Sequence, residues 1–436
     1  MGTFIFLTAM VVEIVFTIFC IITKSNQQKV RSIISIVTFL LFVLLTVLRV
    51  IEWSFRYYAL ATLLFLLALM RAVNSVCKTE EKKVYRTVRV VFNAIGMALL
   101  IFVITLPAII FPQHNPIKPT GKYQVATVTY TYTDTSRIET YNATGENRKL
   151  NVELWYPKNA DGTYPLIVFS HGGFGIKSSN ETLYNDLASH GYVVCSIDHT
   201  YQCFYTTDAD GHTVYINKGF IKEVNSEDPK SDIQQSYEYY KKWMDIRTSD
   251  INFVIDYILE KAKNNGADKV YNLIDTRKIG VMGHSMGGSA ALGIGRIRDD
   301  VSAVIALESP LIYDIKGVKD GKFILTDKKY PVPVLNVYSD ASWSHLAEWP
   351  QYAENYLLLS NTNAMAFNVY IKGAGHLTLT DFTLASPPLE QMLNKMMGAK
   401  STIDSVYCLK TINKISLEFF DCYLKDYGKF TSVGTY

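Results

Sequence analysis

Four apolar stretches near the start of this chain constrain its fold more than anything that follows. Phe4–Thr23, Ser32–Val50, Phe55–Val73 and Val90–Phe111 each carry about the 20 predominantly apolar residues that a helix needs to cross a bilayer's hydrocarbon core. One such stretch reads equally well as a buried core helix. Four in succession, almost free of Gly and Pro, predict a transmembrane four-helix bundle over residues 1–111. The opening "MGT" lacks the basic residues of a cleavable leader, so the first stretch is expected to remain as a span. Glu13 falls inside it and is costly there unless it faces another helix.

Orientation follows from the basic residues. Lys24, Lys29 and Arg31 lie between the first two spans, and Arg71, Lys78, Lys82, Lys83, Arg86 and Arg89 between the last two. The middle connection holds only Arg49 and Arg56. Basic loops mark the cytoplasmic side, so everything after Phe111 is expected outside the cell membrane. The stretch "FPQHNPIKPTGK" cannot continue a helix and predicts a semi-rigid spacer at 112–122.

From Tyr123 to the end at 436 the pattern is that of a globular α/β domain. "YQVATVTYTY" and "RKLNVELWYP" alternate with period two, as antiparallel strands do. "PLIVFS", "YVVCSID", "KIGVMG", "VSAVIAL", "VPVLNVY" and "AFNVYI" are apolar throughout, as strands buried on both faces are. Helical segments lie between several of them. In "MDIRTSDINFVIDYILEKAKNN", Ile251, Val254, Ile255 and Ile258 share one face. Strands alternating with helices predict a mostly parallel sheet covered on both sides, with the ligand site beyond the strands' carboxyl ends. His171, Asp198, Ser285, Glu308, Asp340 and His376 all follow such ends.

The net charge of +3 gives no reason to expect a nucleic-acid partner. The six cysteines are scattered singly, so neither a metal knuckle nor a disulfide framework is expected. No cofactor or metal is expected.

The chemistry gathers around "KIGVMGHSMGGSAA". A short strand, a Gly-X-Ser-X-Gly turn from Gly283 to Gly287 and then small helix formers give the layout of a nucleophile elbow at Ser285. A hydroxyl needs a base to take its proton. In a fold with the chain order Ser, acid, His, only His345 and His376 remain downstream of Ser285. His376 sits in the glycine-rich loop "IKGAGHLTLTDF" just past a strand, whereas His345 in "ASWSHLAEW" reads as a solvent-facing ring among aromatics. Glu308 and Asp340 both end strands, and either could orient the imidazole. The oxyanion needs backbone N–H donors. Met286 follows the nucleophile, and the loop "HGGFG" offers Gly173, with Phe174 beside it.

Together "VFSHGGFG", "LYNDLASHGYVVCSIDHTY", "GHSMGG", "VIALES", "GAGHLTLTDFTLASP" and the tail "STIDSVYCLKTINKISLEFFDCYL" resemble the secreted, plasma-type platelet-activating-factor acetylhydrolases of the α/β-hydrolase fold. The likeness runs from about Pro165 to Lys425. It implies a calcium-independent serine esterase removing short or oxidised acyl groups from the sn-2 position of phospholipids. The nucleophile then falls on Ser285, the histidine on His376, the second oxyanion amide on Gly173 and the acid on Glu308. The family carries an aspartate at that last position, so the glutamate is a departure.

The expected architecture is therefore a membrane domain at 1–111, a spacer at 112–122 and an α/β-hydrolase domain at 123–436. The expected activity is a membrane-anchored esterase whose partners are an acyl ester or phospholipid substrate and membrane lipid. A general carboxylesterase or dienelactone-hydrolase-like enzyme on soluble esters is the second reading. A non-catalytic hydrolase-fold binding module is the third. The aromatic segment from Tyr201 to Trp243 is expected to be either a small core of its own or a lid over Ser285 facing the bilayer.

Overall fold

The computed structural model describes residues 1–76, 84–264, 268–360 and 365–436 and divides into two compact units. The first, Met1–Asn115 with Ala385–Leu389, holds helices α1 (Gly2–Ile22), α2 (Gln28–Val47), α3 (Phe55–Val76) and α4 (Thr87–Ile110). Each is long and apolar enough to cross a membrane, with windows that are only 6–17% buried. Such broad apolar exposure suits a lipid surround and would be unfavourable in water. Glu13 has its partner: Arg31 on α2 reaches its carboxylate at 2.8 Å and also lies over the Phe16 ring. Lys78, Lys82 and Lys83, which carry part of the orientation argument, lie outside the described residues.

The second unit, Pro116–Leu384 with Glu390–Tyr436, is built on one nine-stranded sheet. Its strands are β1 (Val125–Ile138), β2 (Asn147–Pro157), β3 (Tyr164–Ser170) and β4 (Val193–Asp198), followed by a hairpin of β5 (Tyr205–Thr207) and β6 (Thr213–Tyr215) that stands apart. Then come β7 (Ile274–His284), β8 (Val301–Leu307), a second separate hairpin of β9 (Ile315–Lys319) and β10 (Lys322–Leu325), β11 (Val334–Tyr338), β12 (Ala366–Tyr370) and the edge pair β13 (Gly434–Thr435). The order across the sheet is β1-β2-β4-β3-β7-β8-β11-β12-β13. β1 and β2 pair antiparallel and β2 meets β4 antiparallel, while every later pairing is parallel. The two period-two stretches thus form the antiparallel edge. The six apolar runs form the parallel centre, where β4 and β11 are buried along their whole length.

Helices flank the sheet, chiefly α5 (Glu181–Ser189) and α13 (Ser405–Leu424) on one face and α7 (Ile233–Lys263) and α9 (Met286–Ile297) on the other; the remaining helices of this half of the chain are α6 (Lys218–Ser226), α8 (Lys269–Asn272), α10 (Ala353–Ser360), α11 (Phe382–Ala385) and α12 (Pro387–Met396). One core, on the α7 and α9 face, includes Val168, Val281, Ile251, Val254, Ile255 and Ile258. The other, on the α5 and α13 face, includes Phe169, Met282, Ile305, Ile412 and Phe419. Adjacent residues of β3 and β7 thus point to opposite cores, as a strand's period of two requires. Two residues of the stretch expected to be a spacer are fastened within the second unit: Thr120 N–H donates to Asp186 Oδ1 at 2.7 Å and Gly121 N–H to Ser189 Oγ at 2.9 Å.

The aromatic segment divides, rather than forming one small core or one lid. Phe220, Tyr240 and Trp243 are buried in the α7-side core. Phe204 and Tyr215, on and beside the β5–β6 hairpin, are 60% and 68% exposed.

Candidate active site

β7 ends at His284 and α9 begins at Met286, leaving Ser285 alone on the turn at φ 54°, ψ −127°. A residue with a side chain reaches such a conformation only when its surroundings impose it. Here the Ser285 N–H donates to Leu307 O on β8 at 2.8 Å, and Ser285 O accepts from Ser289 N–H at 3.0 Å. The glycines of the motif are steric. A Cβ at Gly283 would collide with the backbone of Gly287 and Gly288, and one at Gly287 with the carbonyls of Ser170 and His171. The structure therefore gives the strand–turn–helix elbow that the sequence predicts.

The "HGGFG" loop leaves β3 directly against this turn. A Cβ on Gly172 would stand 3.3 Å from Ser285 Cβ and 2.9 Å from His284 Nδ1; one on Gly173 would stand 3.8 Å from Met286 Cε. The two candidates for the second oxyanion donor differ. Phe174 N–H is occupied, donating to Gln202 O at 3.3 Å, whereas Gly173 N–H has no acceptor among the described residues. Met286, first in α9, has an N–H that no residue of its own helix can accept. The helix dipole adds positive character there.

His376 opens a short 3-10 turn after β12. The loop is tied to the elbow by His284, whose Nε2–H donates to His376 O at 2.9 Å; the two rings lie 4.7 Å apart. Burial, reinforced by the neighbouring His284, holds the His376 imidazole well below its usual pKa, so it is neutral and able to accept a proton. Among the described residues no hydrogen bond joins the His376 ring to Ser285, Glu308 or Asp340. Catalytic hydrogen bonds are often long before substrate binds. His345 is placed elsewhere, bonded to Glu348 at 3.0 Å and stacked on Trp349.

The two carboxylates behave differently. Glu308 follows β8 at φ 50° and is fully buried. Its Oε2 accepts the Ser339 N–H, and its Oε1 has no partner among the described residues. Burial, with a smaller push from Asp340, raises its pKa to about 7. Asp340 Oδ1 already accepts from Tyr370 OH at 2.7 Å and Gly373 N–H at 2.9 Å, and Asp340 N–H donates to Ala374 O. Asp340 therefore fastens the loop that carries His376.

Behind the "HGGFG" loop lies a charged network that no sequence motif announces. Asp250 on α7 accepts Arg148 through two bonds of 2.6 Å, Arg137 at 2.9 Å and His199 Nδ1–H at 2.9 Å. His199 Nε2 in turn meets Ser170 Oγ at 2.8 Å. Burial opposes ionisation of Asp250, but Arg148 overcomes it and holds the carboxyl far below its usual range. Burial and the Arg247 charge push His199 down to about 4, so it is neutral. The readable signal was the stripe of α7 itself. Arg247 and Asp250 sit one turn before Ile251 and Val254 on the core-facing side, where a charge demands a buried partner.

One buried group of metal-type donors occurs beside this network: His171, Asp198 and Cys203. Its imidazole and carboxylate are engaged by protein, because His171 Nε2 accepts His199 N–H and both Asp198 oxygens accept from Lys177, whose ammonium sits at 3.0 Å. That cation works against a metal there. Asp208, Asp210 and His212 form a second, more exposed group on the β5–β6 turn.

A family model described as "Platelet-activating factor acetylhydrolase, isoform II" matches residues 135–433. A platelet-activating factor acetylhydrolase from Cavia porcellus is 25% identical over 289 residues, which are 64% of this chain and 62% of that one. One from Gallus gallus is 23% identical over 301 residues, 62% and 65% of the two chains. The chain thus spans a little under two thirds of the length of these relatives. Cutinase est1 of Thermobifida alba is 29% identical over 154 residues, 35% of this chain and 38% of that one. Among solved structures, a ferulic acid esterase from Streptomyces cinnamoneus superimposes with a TM-score of 0.54 at 21% identity, covering 72% of this chain and 93% of the other. That likeness shows a shared fold, and with the family match the mostly parallel, helix-flanked sheet is consistent with an α/β hydrolase.

Proposed function

Because the chain belongs to the isoform II platelet-activating factor acetylhydrolase family, we propose that it is a membrane-anchored serine esterase. On this reading its substrates are short-chain sn-2 phospholipid esters. The catalytic unit, residues 123–436 beyond a 112–122 spacer, works outside the cell membrane to which residues 1–111 hold it. The observation that carries the reading is Ser285 on its strained turn, next to two N–H groups without an acceptor among the described residues, Gly173 and Met286, with the neutral His376 held against the adjacent His284.

In the proposed mechanism His376 takes the Ser285 Oγ proton as Oγ bonds to the ester carbonyl carbon. The carbonyl oxygen becomes an oxyanion facing the Gly173 and Met286 amides. As the C–O bond to the alcohol breaks, His376 returns the proton to the leaving oxygen. Water then attacks the acyl-serine with the same help, releasing acid and restoring Ser285. Glu308 is the acid that steadies the His376 imidazolium, supported by its free Oε1 and by the family resemblance. Asp340 remains the alternative, with its Oδ1 already engaged.

The cutinase and ferulic acid esterase neighbours favour a second reading, a carboxylesterase for more soluble esters. Comparing hydrolysis of an sn-2 acetyl phospholipid with that of water-soluble esters by the purified protein separates them. Preference for the phospholipid supports the first, and turnover of soluble esters alone supports the second. A binding module would hydrolyse neither.

A further inference from the structure

Arg247 stands behind the oxyanion loop, buried and 0% exposed on the inner side of α7. It makes no ion pair among the described residues. Its Nε donates to Gln202 Oε1 at 2.8 Å, one terminal nitrogen donates to His171 O, and the other reaches Gly172 O at 3.5 Å. A guanidinium taken out of water without a carboxylate of its own is expensive, and burial lowers its pKa to about 10. What it gains in return is two carbonyls of the loop that touches Ser285.

The second carbonyl is the informative one. Gly172 O also accepts His171 Nδ1–H at 2.6 Å and Gly175 N–H at 3.1 Å. The His171 tautomer is fixed by its partners. Gly172 O can only accept and the His199 N–H, at 3.3 Å from Nε2, can only donate, so Nδ1 carries the proton. In a trans peptide C=O and N–H point opposite ways. Gathering these donors on Gly172 O therefore turns the Gly173 N–H away from them, and that N–H is the one left without an acceptor. A cation on the carbonyl side also polarises the peptide and strengthens its N–H as a donor.

We propose that Arg247 is a positioning residue of the oxyanion hole, clamping the Gly172–Gly173 peptide together with His171 so that the Gly173 N–H meets the charge developing on the ester oxygen. The proposal rests on Ser285 being the nucleophile.

Arg247→Lys tests it, because an ammonium cannot serve Gln202 and two carbonyls in the geometry of the fork. In the full-length protein it is expected to lower kcat about 10- to 100-fold, somewhat less than outright loss of an oxyanion donor. KM should stay within about threefold, and affinity for a trifluoromethyl ketone, whose adduct with Ser285 carries the oxyanion, should fall by the same factor as kcat. If Arg247→Lys does not fold by circular dichroism, Gln202→Glu carries the test. It offers Arg247 a carboxylate and should draw the cation from the peptide, keeping or raising the melting temperature while lowering kcat. A folded variant with unchanged kcat and inhibitor affinity overturns the clamp, as does a loss confined to KM. Failure of a fluorophosphonate to label Ser285 in the unaltered protein would instead sink the nucleophile assignment beneath it.

Discussion

Asp250, His199 and Ser170 form every hydrogen bond that a catalytic triad is drawn with, while the His376 ring makes none to Ser285 or Glu308. The complete chain is the inert one. All three of its residues are 0% exposed, so no ester can reach Ser170. Ser170 also sits at the end of an ordinary strand rather than on a turn at positive φ. Ser285 is half-buried, strained at positive φ and flanked by two unused N–H groups. Satisfied valences hold a loop in place, and unspent ones are what a substrate can use. The two sets meet at His171, whose Nε2 accepts the His199 N–H, so on the proposed reading the fully bonded chain helps to shape the loop beside Ser285.

The comparison breaks most sharply at the two serines. Ser285→Ala is expected to remove roughly 10^6-fold of kcat with the fold intact. Ser170→Ala should leave hydrolysis within a fewfold and cost about 1–3 kcal/mol of stability, the loss of a partner for a buried nitrogen. Rates and chemical denaturation of both variants check this. Equal rate losses would erase the distinction.

Next come the carboxylates. Glu308→Gln should lower kcat by about 10^4-fold, because the imidazole loses its orientation and the imidazolium its counter-charge. Asp340→Asn should have a far smaller effect on rate, and a severe loss there alone would move the acid to Asp340. Asp250→Asn should instead act on stability, by about 3–5 kcal/mol, since it leaves buried arginine charge uncompensated.

The pH profile sharpens the same contrast. If Glu308 is the acid, as proposed, it must be ionised to serve His376, and its pKa of about 7 means that the ionised form is lost below that pH. Thus kcat/KM should fall about tenfold per unit below pH 7. Asp340→Asn should move that limb to lower pH, since the Asp340 charge helps to raise Glu308. An unchanged limb in Glu308→Gln would assign the titration to another group.

The smallest effect concerns the hairpin beside the oxyanion loop, where Phe204 N–H donates to Gly175 O at 3.1 Å. Replacing exposed Phe204 and Tyr215 with Ser is expected to slow turnover of bilayer-embedded esters about tenfold, equivalent to roughly 1.4 kcal/mol of interfacial contact. Turnover of a small soluble ester should stay unchanged. Equal losses on both would give the hairpin a purely structural role.

Much of the sheet was legible because each of its long strands is a separate apolar or alternating run bounded by turn residues. β13 was not, since two edge residues carry no period. The β9–β10 hairpin could have been read from "KDGK": Asp320 and Gly321 take the φ 50° and 70° that such a turn requires. α7 was recognised only from Met244 onward, yet it starts at Ile233 behind an Asp232 cap. Its first turns interleave aromatic and charged residues, which hid the stripe. At the site, the elbow and the histidine loop are local motifs and so were readable. Gly173 was readable as the oxyanion candidate from its loop, whereas the Phe174 N–H being taken by Gln202, which favours Gly173, is a contact across the fold. Arg247 and Asp250 are not legible as buried partners in the sequence, because their ion-pairing and carbonyl partners lie on other elements across the fold.

The central claim is that reactivity resides at Ser285 and not in the fully bonded serine nearby. The most direct test is to treat the purified full-length protein with a fluorophosphonate, digest it and locate the adduct by mass spectrometry. One adduct is expected, on the peptide containing Gly283–Gly287, and none on the peptide containing Ser170. An adduct on Ser170, or an active protein left unmodified at Ser285, would contradict it.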